Sequence, residues 1–230
     1  MKRIVTFSVL LISVFMLAQT KYDLNGGNLI ISNSVFSIGD REFMSKGLTS
    51  VIIPDSVISI GQRAFEDNQL TNVTIPDSVT SIGPWAFKSN QLISVSIGNS
   101  VTTLGGEVFM NNKLTSVSIP NSVTSIAYGV FKNNQLTSIT IPNSVTRIGA
   151  RAFANNPLTS ITIPDSIASL NENVFTGSLR NVSRISIGAN VNLQGFSDVV
   201  WQGFSSFYLV NGNRAGTYTL SNGKWSAQFR

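Results

Sequence analysis

The sequence predicts a mainly β repeat solenoid closed by a C-terminal β hairpin, and three observations carry that prediction. Leucine recurs every 22 residues at Leu48, Leu70, Leu92, Leu114, Leu136 and Leu158. Phenylalanine keeps the same period at Phe43, Phe65, Phe87, Phe109, Phe131, Phe153 and Phe175, with no insertion or deletion in either column. A fixed period of roughly 20–29 residues marks a solenoid whose coils bury their apolar faces against their neighbours. The last 35 residues break the period, and their Asn-Gly pairs between β-prone runs read as hairpin turns.

Taken in order, residues 1–18 read as a secretory signal: Lys2 and Arg3, an apolar run from Ile4 to Leu17, then the small residue Ala18. That run is shorter than the roughly 20 residues a stable membrane span needs, and no second one follows, so no transmembrane segment is expected after cleavage. The absence of cysteine at the cleavage region argues against a lipoprotein anchor. Losing Lys2 and Arg3 leaves 14 basic residues against 11 acidic ones, scattered and without a basic stripe, which argues against nucleic acid. With no cysteine and no histidine, disulfides, thiol nucleophiles, histidine acid–base chemistry and Cys/His metal sites are excluded. No cofactor is implied.

The solenoid is assigned to residues 19–195, with repeats from about Gly26, which holds the leucine position of a degenerate first copy. One coil, Leu70 to Gln91, shows the physics. Val73 and Ile75 alternate with Asn72 and Thr74, the pattern of a half-buried strand, one per turn. Pro76 has no N–H for the next ladder and ends it. Asp77 and Ser78 belong to columns of short polar residues that bond nearby backbone and hold the bend. Val79 and Ile82 point inward, Gly83 suits an unusual backbone angle, and Ala86-Phe87 closes the turn on a phenylalanine spine. Asn68, Asn90, Asn112, Asn134 and Asn156 form a column able to bridge coils through side-chain amides. A weaker copy begins near Val182 after a two-residue insertion. Residues 196–230, rich in aromatics from Trp201 to Phe229, are assigned to a β cap with turns at Asn211-Gly212 and Asn222-Gly223.

The pattern Leu-x-x-Val-x-Ile-Pro-x-Ser-Val-x-x-Ile-Gly-x-x-Ala-Phe-x-x-Asn, from about Leu29 to Ile187, resembles the BspA-like, treponemal-type leucine-rich repeat family. The segment Phe207 to Trp225 is similar to a C-terminal module of some spirochaete members. The resemblance implies a right-handed leucine-rich-repeat solenoid and an exported or surface-displayed interaction protein, some members being adhesins for host matrix proteins.

Two surfaces are candidates for ligand. Outward strand positions form a hydroxyl-rich face that includes Ser94, Ser96, Ser116 and Ser118 and ends at Arg184. Cross-strand pairs of this kind also simply support a sheet. The variable positions before Ala-Phe hold Trp85 and Tyr128, two coils apart, roughly 10 Å at a strand spacing of about 4.8 Å. In the cap, Tyr218 and Trp225 are candidates for glycan contact beside the capping role. No carboxylate pair or serine–base pair forms a catalytic constellation. The expected function is therefore non-enzymatic binding of a protein or glycan at the cell surface or in the extracellular matrix. The alternatives are a structural envelope solenoid without a ligand and, more remotely, ice binding by the hydroxyl ladder.

Overall fold

The computed structural model describes residues 21–193 and 203–230; the signal segment and Trp201 lie outside the described residues. The chain winds through about seven coils of 22 residues. Asn28–Ile31 pairs in parallel with Ser50–Ile52, Asn72–Thr74 with Ser94–Ser96, and Ser138–Thr140 with Ser160–Ile163 and then Arg184–Ile187. Each step joins residues one period apart until Ser160, which faces Arg184. The two-residue insertion is taken up there by a short 3-10 turn at Leu179–Asn181.

Two features differ from the sequence reading. The long ladder is not continuous: Ser116 and Ser118 point outward like their neighbours, but no paired strand forms at those positions. A second ladder runs along the coil at the Ser-Ile positions. Ser37–Ile38, Ser59–Ile60, Ser81–Ile82 and Thr103–Leu104 form one parallel sheet, and Ser125–Ile126 pairs with Arg147–Ile148. Each of these strands is only 2 residues long, too brief for alternation to announce it in the sequence.

The interior is built from the repeat columns. The seven phenylalanine rings from Phe43 to Phe175 stack with centroids 5.1 to 5.8 Å apart and planes within 18°. The asparagine column bridges coils as expected. Asn90 Oδ1 accepts the Leu70 N–H at 3.1 Å, and its Nδ2 donates to the Phe65 carbonyl at 2.8 Å and to that of Phe87 at 3.2 Å. At the corner after the strand, Ser78 Oγ donates to the Val57 carbonyl of the preceding coil at 2.8 Å. Asp77 accepts the Asn99 N–H of the following coil at 2.7 Å. These polar columns therefore act between coils rather than within the local bend.

The glycine column has a different cause from the one the sequence implied. Gly61, Gly83, Gly105 and Gly149 have no positive φ. What they provide is room. A Cβ on Gly105 would lie 2.3 Å from Pro84 N and 2.5 Å from Gly83 C, backbone atoms of the preceding coil. Gly105→Ala is accordingly expected to destabilise the protein by about 3 kcal/mol, the upper part of the range for forcing extra volume into a packed interior. Urea unfolding checks it, and a loss under about 1 kcal/mol would show that coils can separate locally at low cost.

Both ends of the long ladder carry antiparallel hairpins. At the N-terminus Tyr22–Asn25 folds back on Asn28–Ile31. Gly26 (φ 56) and Gly27 (φ 87) form the tight turn, and Gly26 keeps the leucine position one period before Leu48. Gly61 and Gly83 donate their N–H groups to Ile38 and Ile60 of the preceding coil, whereas Gly39 N–H donates to Glu42 Oε2 at 2.6 Å. Tyr22, edge-on to Phe43 at 4.9 Å, donates its hydroxyl to the same carboxylate. Burial and that bond push the Tyr22 hydroxyl up to about 12.

At the C-terminus Gly216–Ser221 pairs antiparallel with Arg184–Ile187, and Lys224–Phe229 pairs with Gly216–Ser221 around Asn222-Gly223. The other predicted turn is wrong. Asn211-Gly212 ends a helix, Phe204–Val210, whose Phe204, Phe207 and Tyr208 lie at i, i+3 and i+4. The Asn213 N–H closes back on the Tyr208 carbonyl at 3.1 Å, with Gly212 left-handed at φ 69. Tyr208 pins this helix to the last coil, donating to the Gly188 carbonyl at 2.7 Å and accepting the Val191 N–H at 3.2 Å. Burial raises its hydroxyl above the ordinary tyrosine value.

Candidate binding surfaces

The corner between the short ladder and the phenylalanine wall presents the most elaborated side chains. Two positions after the glycine column, in which Ala127 replaces one glycine, the backbone turns left-handed: Arg41 (φ 57), Arg63 (57), Trp85 (60), Glu107 (57), Gly129 (62) and Arg151 (59). The turn frees each N–H to reach the next coil, as from Arg63 to the Pro84 carbonyl at 2.9 Å and from Trp85 to that of Gly106 at 3.0 Å. The side chains are thereby held in a row along the outside of the corner.

Neighbouring members of the row touch. The Arg63 guanidinium lies 4.9 Å from the Trp85 ring centroid, and Trp85 Nε1 donates to Glu107 Oε2 at 3.0 Å. Beneath them the buried Glu66 carboxylate faces Arg63 Nε at 3.5 Å and Lys88 Nζ at 3.4 Å. Further along, Arg151 donates to the Tyr128 hydroxyl at 3.3 Å, and Tyr128 stays 42% exposed. Trp85 and Tyr128 thus stand in adjacent columns, not equivalent ones: Gly129 occupies the position of Trp85, and Tyr128 that of Pro84. Trp85 is half-buried in a charged frame. Sequence reasoning passed over Arg63, Glu107 and Arg151, departures from the consensus in these same columns, and missed Glu66, which follows the Ala-Phe pair.

The outward face of the long ladder is as polar as expected. Ser94 Oγ donates to Asn72 Oδ1 at 2.6 Å and Ser50 Oγ to Asn28 Oδ1 at 2.6 Å, so part of the hydroxyl carpet is spent on its own strand neighbours. Ser96, Ser116, Ser118 and Arg184 are exposed. Ile30 and Ile52, paired across the first two strands, give that face an apolar N-terminal end.

In the cap, Tyr218 is 0% exposed and sits edge-on to Phe204 at 5.3 Å, its hydroxyl donating to the Arg214 carbonyl at 2.6 Å. It is the centre of the cap's own core and has no surface to offer a ligand, which corrects its place among the candidates. Trp225 packs on Phe204 at 5.0 Å and is half-buried.

Among the described residues no group of three or more His, Cys, Asp and Glu is placed to hold a metal ion, and no helix is long and apolar enough to cross a membrane. What the corner offers chemically is stacking, ion pairing and hydrogen bonding.

A family model described as the BspA type leucine-rich repeat region matches in six copies, over residues 21–136 and 125–206. No curated protein matches the chain. Among solved structures, the chain is similar to a leucine-rich repeat protein from Bacteroides ovatus at 26% identity, covering 76% of this chain and 53% of that one, with a TM-score of 0.52. It is similar in fold to the leucine-rich repeat protein of T. pallidum at 21% identity, covering 80% and 91%, TM-score 0.52. A third, a leucine rich cell surface protein from Faecalibacterium prausnitzii, is 25% identical over 76% of this chain and 61% of that one, TM-score 0.42. The chain spans about half of the B. ovatus protein and three fifths of the F. prausnitzii one.

Proposed function

From the premise that this chain belongs to the BspA-type leucine-rich repeat family, we propose that it is an exported interaction protein that binds a host matrix protein or a glycan without catalysis, through the strip from Arg63 to Arg151. The family makes it a repeat module for interaction, and the first 18 residues support export. One observation carries the choice of surface. A left-handed backbone costs a non-glycine residue roughly 1–2 kcal/mol, and Gly129 demonstrates that this column accepts glycine. Arg41, Arg63, Trp85, Glu107 and Arg151 are nevertheless long or bulky side chains. Strain retained in a partly exposed row of Arg, Trp and Tyr, the residue types that dominate binding hot spots, supports recognition there.

Trp85→Gly separates binding from stability. Glycine relieves the backbone strain, which offsets the lost contacts with Arg63 and Glu107, so the melting temperature should stay near that of the parent. Binding to a panel of matrix proteins, heparin and bacterial glycans, at low and physiological salt, should weaken by at least about tenfold, or ~1.4 kcal/mol. Unchanged saturable binding would move the site to the sheet face of Ser94, Ser96, Ser116, Ser118 and Arg184. No saturable binding to any ligand would favour a structural envelope solenoid, a reading to which the Trp85–Glu107 bond also lends itself.

A further inference from the structure

We propose that copies of this chain associate head to tail, the N-terminal edge strand of one pairing with the C-terminal edge strand of the next. Among the described residues, Tyr22–Asn25 and Lys224–Phe229 are the outermost strands of their sheets. Edges of this kind present a row of backbone donors and acceptors to any strand that fits.

The two edges fit each other in direction. The coil strands are mutually parallel, the first edge runs against them, and the last edge, after two reversals, runs with them. Coaxial stacking therefore sets the two edges antiparallel.

They also match in which residues face outward. At the N-terminal edge Ser32 N–H donates to the Lys21 carbonyl at 2.9 Å, so Lys21, Asp23 and Asn25 direct their backbone groups inward along the sheet. In an antiparallel ladder the alternate residues, Tyr22 and Leu24, then direct theirs to the open side. At the other edge Arg230 N–H donates to the Ala215 carbonyl at 3.1 Å. By the same alternation Ala227 and Phe229 direct theirs outward.

The open-side residues of both edges have side chains on the core face, since Leu24 and Tyr22 lie opposite buried Leu29 and Ile31, and Ala227 opposite buried Tyr218. Pairing the edges would set Tyr22 and Leu24 beside Ala227 and Phe229. On the solvent face it would set Asp23 among Lys224, Ser226 and Gln228. Leu24 is 56% exposed in the single chain and would be covered.

Charge favours the same arrangement. Residues 21–115 hold six basic and eight acidic side chains, a balance of −2, whereas residues 116–230 hold eight and three, a balance of +5. An acidic half and a basic half meet at every head-to-tail joint. By contrast, pairing the N-terminal edge with itself so that Tyr22 opposes Leu24 sets Asp23 against Asp23, a like-charge pair that destabilises a sheet. A head-to-tail contact is heterologous and leaves both ends open, so it extends to chains of copies.

Sedimentation velocity on the purified protein tests this. The weight-average mass should rise with concentration and fall as salt is added. Leu24→Lys blocks the first edge. Ala227→Pro blocks the second, at a residue whose N–H serves no bond within the chain, where an edge strand tolerates proline. Each variant alone should sediment as a monomer, and their equimolar mixture should give a discrete species of twice the monomer mass. Amide exchange of the unaltered protein supplies a readout that needs no variant: Leu24 and Ala227 should be protected at high concentration and not at low. A monomer at every concentration would overturn the proposal. So would a dimer that survives in both variants, or concentration-independent exchange at those amides.

Discussion

Replacing Asn112 by alanine is expected to cost about 3–5 kcal/mol, an unusually large loss for a polar residue. Asn112 is 8% exposed; its Oδ1 accepts the Leu92 N–H at 3.0 Å, and its Nδ2 donates to the carbonyls of Phe87 at 3.0 Å and Phe109 at 3.1 Å. Two adjacent coils are joined through this one amide. An orphaned buried backbone group costs about 1–3 kcal/mol, and alanine would orphan the Leu92 donor while weakening both carbonyls. Urea unfolding monitored by circular dichroism would measure it. Asn112→Asp makes the sharper comparison: it keeps the acceptor for Leu92, loses both donors and buries a carboxylate, so it should fare worse than alanine at neutral pH and recover on acidification. A loss under about 1 kcal/mol for Asn112→Ala would mean that water replaces the amide and that the column is dispensable.

Phe109→Ala should cost a comparable amount, about 3–5 kcal/mol, for an apolar reason. The ring is fully buried, 5.7 Å from Phe87 and 5.8 Å from Phe131, and nothing else can close the gap it would leave between two stacked neighbours. Because each coil touches only its neighbours, the defect weakens one joint in mid-array rather than the whole body. Unfolding of the parent in one transition should become two in the variant, as the coils on either side lose their connection. The two substitutions are not independent: Asn112 holds the carbonyl of Phe109 itself, so the double variant should lose less than the sum.

These effects fall on columns legible in the sequence. A side chain repeated at a fixed period must meet its own copies, so the phenylalanine stack and the asparagine bridges follow from spacing and chemistry alone. What a column shows less clearly is which atoms of the adjoining coil approach it. Gly105 suggested an unusual backbone angle, and the structure shows instead Pro84 and Gly83 pressed against the space of its absent Cβ. The left-handed residues are Arg63 and Trp85, types that sequence reasoning does not associate with that conformation. Outside the repeat the signals compete. Phe204, Phe207 and Tyr208 carried a helical spacing that the Asn211-Gly212 turn signal outweighed, although a glycine ends a helix as readily as it bends a hairpin. Tyr218 looked like a surface aromatic because a short cap offers little sign of having an interior. The strip around Trp85 was visible only as departure from consensus, since the contacts linking Arg63, Glu66, Lys88 and Glu107 join residues of three different coils.

Those same contacts answer a difficulty that any near-identical array faces. Leucine, phenylalanine and asparagine look alike in every coil, so a folding chain that skipped one and docked on the next would satisfy all three columns equally well. The ion pairs of Glu66 with Arg63 and Lys88, the Trp85–Glu107 bond and the Arg151–Tyr128 bond occur once each, between particular neighbours. They work as addresses: a coil docked one place out of order forfeits them. Glu66 in particular would be left buried without its Lys88 partner, a penalty that an apolar column cannot impose. Repetition builds the wall, and these irregular contacts decide the order in which its courses are laid.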